Sequence, residues 1–461
     1  MDTSAEPIDE RELILQTACV LHANGQSTAM TLVAVDRLNR GLGSAATLIP
    51  TWDAVFVRDT HTDRPMQLVA AQPIDMNMRR VAAVMRTVDD IERGVAGSRE
   101  LRAVLSAAAN VPPARTPVFV VACAAGAAGL SLVYGAPHWS VVAMVAAVAG
   151  LGGLVRRALL RAGVGILGQS FAAALVAGIA GVVASRLDPH TALGLVAICP
   201  AIVLVPGPHI LMGAMDLLGL RVALGVARLS YAMLVLSAIA AGLIVGLGVG
   251  GQSLQLDSPG PHDALLADVV GAAIAAACFP IFYSMPYRFI VWPVTVGATA
   301  HALHWWVLNV AHGSLGTAAL VSCAFVGIVL GAVAYFHRFP FAAVGFAAVV
   351  ALVPGIYVFR ALAGLVQLPS KASSTVISAI AADGATAAVV VACMAVGLTV
   401  PTGIRDALIA RRERQSKSPW HAGHVATPMT VHPNTDAHPG RGSPGLSSGP
   451  AIAADECEDH S

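Results

Sequence analysis

Asp216, Asp268, Arg360 and Asp383 stand inside or beside long apolar runs. A charge at membrane depth is costly, so it faces a cavity or a partner. Desolvation favours the neutral form of a carboxylic acid, which lets such a group take up and release a proton near neutral pH. Asp383 is the first candidate for proton coupling and Asp268 the second, although an interfacial position would cost Asp268 and Asp216 little. Arg360 suits a substrate carboxylate or snorkelling to the surface. His301 and His304 share one helical face and sit beside Trp305, Trp306 and Asn309. That group admits a metal or proton-relay role, but the tryptophans favour an aromatic belt at the outer interface.

Two of these charges follow a repeated phrase. Leu204-Val205-Pro206-Gly207 precedes Asp216, and Leu352-Val353-Pro354-Gly355 precedes Tyr357 and Arg360. Proline removes a backbone donor and breaks the helix, freeing groups that lipid cannot satisfy. Matched breaks in two halves of a membrane chain mark the binding site of many transporters. Candidate substrate-binding residues are therefore Pro206, Gly207, Asp216, Pro354, Gly355, Tyr357 and Arg360. With Pro200 and Pro208 nearby, the first break reads as the more severe.

The elements that must position these residues lie in a chain of 461 residues, 56% hydrophobic and 12% charged, with a mean hydropathy of +0.71. Soluble domains carry about twice that charge fraction. The expected class is an all-α polytopic membrane protein of about ten transmembrane helices, each near the ~20 residues a bilayer needs. The expected spans are 116–134, 138–155, 164–185, 191–212, 225–249, 264–284, 287–309, 315–336, 340–364 and 377–400. The breaks fall in spans four and nine. An odd offset of five reverses the direction of crossing, so the halves 116–250 and 264–402 form an inverted 5+5 repeat.

Residues 1–115 hold 12 of the 28 Lys and Arg residues and read as a small cytoplasmic α/β domain. Its helices are expected near Glu10–Gly41 (interrupted at Asn24-Gly25), Met76–Arg93 and Ser98–Ala109, and its strands near Asp53–Arg58 and Met66–Ala71 around a turn at 61–65. Ser27-Thr28 is expected to cap a helix. Residues 403–461 read as a disordered cytoplasmic tail. Arg156, Arg157, Arg161, Arg221, Arg228, Arg288, Arg338 and Arg405 fall in or beside alternate loops, while the intervening loops hold only Arg186 and Lys371. This bias puts both ends inside. No signal peptide, phosphate-binding loop, cofactor motif or metal-ligand set is expected. The cysteines read as small buried hydrophobes, and a net charge of +1 gives no case for nucleic acid.

Pro200-Ala-Ile-Val-Leu-Val-Pro206-Gly207, Asp216-Leu217-Leu218 and Gly225-Val-Ala-Arg228-Leu229 resemble the core motif of the threonine/serine exporter family. Asn77–Ser106 resembles that family's helix pair before the first span. The stretch around Pro354–Leu362 resembles its second, smaller module, here fused to the first. After Gly25-x-Ser27-Thr28, relatives commonly carry an Arg and an acidic residue, where this chain has Ala29-Met30-Thr31-Leu32. The resemblance implies export of small hydroxy amino acids across the inner membrane, driven by the proton motive force. Its expected partners are the amino-acid substrate, protons and the lipid bilayer, with a homo-oligomer left open. The alternatives are export of small dicarboxylates such as succinate, a membrane-anchored enzyme with its site in residues 10–110, and a channel.

Overall fold

The computed structural model describes residues 9–59, 65–74, 76–187, 193–252, 264–337, 341–369 and 373–416. Residues 61–64 of the turn expected at 61–65, residues 253–263, Arg338 and Lys371 lie outside the described residues, and of the tail expected at 403–461 the part up to Ser416 is helix while the rest lies outside them.

The chain opens with α1 (Glu10–Ala23) and α2 (Thr28–Leu42). The Asp9 side chain accepts from the Arg11 amide at 3.1 Å and caps α1, and Gly43 ends α2 in the left-handed region at φ 70°. A three-stranded antiparallel sheet follows, in the order β1 (Ala46–Pro50), β2 (Ala54–Asp59), β3 (Gln67–Ala70). Strand β1 escapes the sequence reading. Its Ala46 and Leu48 point inward, but Ile49 on the other face is 47% exposed and blurs the period-two pattern. Helices α3 (Met78–Glu92) and α4 (Ser98–Ala109) complete this layer. Val81, Val84, Met85, Val88 and Ile91 recur at helical spacing and are all buried.

The apolar part comprises α5 (Thr116–Val133), α6 (Trp139–Arg161), α7 (Ile166–Leu187), α8 (Leu193–Ile202), α9 (Gly207–Leu218) and α10 (Val222–Gly248). It continues through α11 (Leu265–Phe282), α12 (Val291–Asn309), α13 (Leu315–His337), α14 (Phe341–Val349), α15 (Gly355–Gln367) and α16 (Ser374–Ser416). Among the described residues seven helices are long and apolar enough to cross a membrane, or nine spans if the bent pairs α8–α9 and α14–α15 each count as one. The chain is a polytopic helical membrane protein. Helix α12 takes the place of the expected seventh span. Its histidines, tryptophans and Asn309 keep its hydropathy below that of the seven.

Among the described residues several helix pairs approach closely enough to exclude side chains between them, α7 with α10 and α13 with α16 among them. A Cβ on Gly242 of α10 would lie 2.2 Å from the Phe171 carbonyl oxygen of α7, and one on Gly397 of α16 would lie 2.7 Å from the Leu320 oxygen of α13. Small residues give helices this approach in lipid, where apolar contact alone supplies little drive.

The N-terminal layer and the spans belong to one compact unit ending at Ile409. The Met78 amide donates to the Tyr283 carbonyl at 2.8 Å, the Ala114 amide donates to Ser284 Oγ at 3.0 Å, and Trp52 stacks on Tyr231. These contacts place the layer over one end of the bundle, where α11 ends and α5 begins.

Candidate functional site

Each helix break is an inverse γ-turn. The Gly207 amide donates to Val205 O at 2.8 Å and the Gly355 amide to Val353 O at 2.7 Å. The prolines between them have near-identical backbones, φ −77° and ψ 57° at Pro206 against φ −76° and ψ 47° at Pro354. The bends are 58° and 59°. The extra prolines of the first break do not sharpen it: Pro200 is accommodated inside α8, and Pro208 occupies the first turn of α9, where a missing amide costs nothing.

The breaks touch each other reciprocally. A Cβ on Gly207 would lie 3.8 Å from Val353, and one on Gly355 would lie 3.8 Å from Val205 and 3.6 Å from Ile202. The valine of each phrase therefore packs on the glycine of the other.

Beside this junction lies a cavity of about 400 Å³, at the lower end of the ~300–1,000 Å³ typical of small-molecule sites. Leu352, Val353, Pro354 and Tyr357 of the second break form one wall, and Tyr134, Asp268, His301, His304, Trp305 and Asn309 face them. The ends of α5 and α12 and the starts of α11 and α13 contribute, so the cavity lies at the end of the bundle away from the N-terminal layer. No lysine or arginine lines it among the described residues. Its buried polar centre is Asp268 with His301, whose Nδ1 is 3.1 and 3.2 Å from the two carboxylate oxygens. The His304 ring centroid is 6.0 Å from that of His301.

The remaining candidates are paired. Asp383 meets Arg360 Nε at 3.2 Å, with both residues buried. Asp216 accepts from Arg221 Nε at 2.9 Å, lies 3.2 Å from Arg228 Nε, and accepts from Thr28 Oγ1 of the N-terminal layer at 3.1 Å. Arg228 is fully buried and also reaches Thr28 Oγ1 at 3.4 Å and Met212 Sδ at 3.0 Å. His209 of α9 contacts the Pro73 carbonyl oxygen at 2.7 Å.

Of the sequence candidates, Asp268, Pro354 and Tyr357 are brought together at the cavity. Pro206, Gly207 and Gly355 meet at the junction of the breaks. Asp216 stands apart under the N-terminal layer, and Arg360 and Asp383 neutralise each other. Ser27 is the N-cap residue of α2 but makes no capping hydrogen bond through its side chain, while Thr28 reaches Asp216 instead. Sequence reasoning missed the Asp268–His301 pair, yet a signal was present. In an antiparallel helix hairpin, residues equidistant from the turn face one another, and Asp268 and His301 each lie sixteen residues from the Ser284-Met285 turn. It also missed Arg228 and Tyr134 as parts of the two polar centres.

Two broken spans meeting beside a polar-centred cavity, in a polytopic helical membrane protein, are an arrangement that transporters use. Residues 12–250 match the family model ThrE, and residues 268–404 match the model described as Threonine/Serine exporter, ThrE. The chain belongs to the threonine/serine exporter family, with both modules fused in one polypeptide. No curated protein and no solved structure matches it significantly.

Proposed function

We propose that this chain is a secondary transporter that exports the small hydroxy amino acids threonine and serine across the inner membrane, coupled to protons, with both termini in the cytoplasm. The reciprocal packing of the two breaks carries the reading. It is what two halves threaded in opposite directions produce when their equivalent spans meet at a shared centre.

Three further correspondences support an inverted 5+5 arrangement. The backbone angles and bends of the breaks match. The third expected span packs by glycine on the fifth, as the eighth does on the tenth. In each half an acid–arginine pair ties the second arm of the broken span to the next span: Asp216 to Arg228, and Arg360 to Asp383.

In this reading the amino acid occupies the cavity. The N-terminus of α15, from Pro354 and Gly355 to Tyr357, offers partial positive charge to its carboxylate, and its ammonium turns towards Asp268. Pro206 and Gly207 back this site from the facing break. The absence of a lining cation among the described residues, with Arg360 already paired, leaves the second carboxylate of a dicarboxylate such as succinate without a partner and favours the zwitterion. The N-terminal layer closes the opposite, cytoplasmic end through Thr28, Asp216 and Arg228.

The test is uptake of labelled threonine, serine and succinate into inverted vesicles that hold the full chain. An acidic lumen should drive accumulation of threonine and serine but not of succinate. Equal flux of all three without a gradient would contradict a coupled carrier.

A further inference from the structure

We infer that Asp268 and His301 act as one proton-exchange unit, in which the coupling proton and a donor group of the solute compete for a single atom, His301 Nε2. This rests on the exporter reading and names its coupling group.

The observation behind it is an orphaned atom. His301 is 3% exposed and lines the cavity, its Nδ1 is taken up by Asp268, and its Nε2 is buried without a hydrogen-bond partner in the structure. Buried ring nitrogens are almost always satisfied, so one left open in a cavity wall is a place for a ligand atom. The chemistry of that atom follows from its partner. With Asp268 ionised, Nδ1 carries the hydrogen and donates it, which leaves the Nε2 lone pair facing the cavity as an acceptor. A solute ammonium or hydroxyl donates to it. A proton arriving at Nε2 forms an N–H bond there, makes the ring an imidazolium held by Asp268, and turns the acceptor into a donor. The solute's own donor then meets a donor and is rejected. Release of the proton from Nε2 restores the acceptor and readmits the solute. Occupancy by one excludes the other, which is the requirement for exchange of an inward proton against an outward solute.

The other titratable groups around His301 do not offer this choice. Helix α11 contributes Asp268 itself and Cys278. On α12 itself the neighbour is His304. Tyr134 at the end of α5 and Tyr357 of α15 also line the cavity, and Arg360, one turn along α15 from Tyr357, is paired with Asp383. Helix α14 has no titratable side chain, and Cys323 of α13 is not among the lining residues. Asp383, the stronger candidate from sequence, is occupied by Arg360 and is not among them either.

The experiment uses full-length protein in proteoliposomes and the His301→Gln variant, with His138→Gln, at an exposed histidine away from the cavity, as a control. Glutamine keeps an acceptor but cannot take a proton. The expected result is loss of gradient-driven accumulation of threonine in H301Q, with threonine–threonine counterflow retained and pH-independent, while H138Q still accumulates. Accumulation by H301Q, or loss of counterflow at an unchanged melting temperature, overturns the proposal. Should H301Q fail to fold, wild-type binding decides: the apparent Kd for threonine should rise ~10-fold for each pH unit below the protonation midpoint, by one-proton linkage, and a flat Kd overturns it. If the wild type moves neither threonine nor serine in any mode, the exporter reading fails. The exchange unit is then judged by 15N-histidine NMR, where reversible protonation of His301 supports it and a ring that never titrates overturns it.

Discussion

The buried Asp216–Arg228 pair shows how a residue that looks like a substrate ligand can be a structural tie. Arg228 has no exposed surface, and its charge is met by Asp216, with Thr28 and the Met212 sulfur completing its surroundings. Removing one partner strands the other. Asp216→Ala should therefore cost about 3–5 kcal/mol, while the double replacement D216L/R228M should recover most of it; melting of the detergent-solubilised protein distinguishes the two. His22 of α1 supplies a pH-dependent term. Burial, with Arg228 adding to it, lowers its pKa from 6.5 to about 4. The unfolded chain therefore binds the proton first, and stability falls as pH drops from 6.5 towards 4. The loss is on the order of 3 kcal/mol. His22→Gln should flatten this part of a melting-against-pH curve, and an unchanged curve would count against the assignment. Side-chain types alone flagged Asp268, Asp383 and Arg360 as costly groups needing partners. They did not say which partners, because pairing across 33 residues (Asp268 with His301) or 23 (Arg360 with Asp383) depends on how hairpins register.

Among the helices, the second broken span walls the cavity and the first packs against it. Each proline holds an inverse γ-turn whose bend brings a valine onto the opposing glycine. Pro206→Ala and Pro354→Ala should both insert and express, yet lose at least ~10-fold in threonine flux, because a straightened span can no longer wall the cavity. Full transport with either alanine would contradict a working role for the bend. Gly242→Val should instead fail earlier: with a carbonyl oxygen 2.2 Å from its Cβ, α7 and α10 must separate, and folded yield should drop. The Pro-Gly phrases and the apolar helices were legible in sequence because proline and hydrophobic length act locally. The equal severity of the bends was not, since Pro200 and Pro208 count as breakers until their positions within α8 and α9 are known. Helix α12 read as an interfacial belt for a similar reason: the tryptophans beside His301 and His304 are a local signal, whereas burial against Asp268 is a tertiary one.

Across the whole molecule the polar centres divide between the ends of the bundle. Asp268 and His301 stand at the cavity, and Thr28, Asp216 and Arg228 lie beneath the N-terminal layer at the other end. Against the ten expected spans, the described residues hold seven long apolar helices and two bent pairs, with α12 beside them, and the N-terminal layer is bonded to the bundle at Thr28, Pro73, Met78 and Ala114. That bonding was invisible in composition, because a few buried hydrogen bonds do not alter the polarity of a segment. In alternating access by the proposed exporter, the two breaks move apart to open the end beneath the N-terminal layer. The most direct measurement is threonine transport by a Val205→Cys/Gly355→Cys pair in a background free of native cysteines. A Cβ placed at position 355 would lie 3.8 Å from the Val205 side chain, close to the separation that a disulfide spans. The account predicts that oxidation joins the two halves and stops transport, and that reduction restores it. A cross-linked protein that still transports at full rate, or a pair that never cross-links, would contradict it.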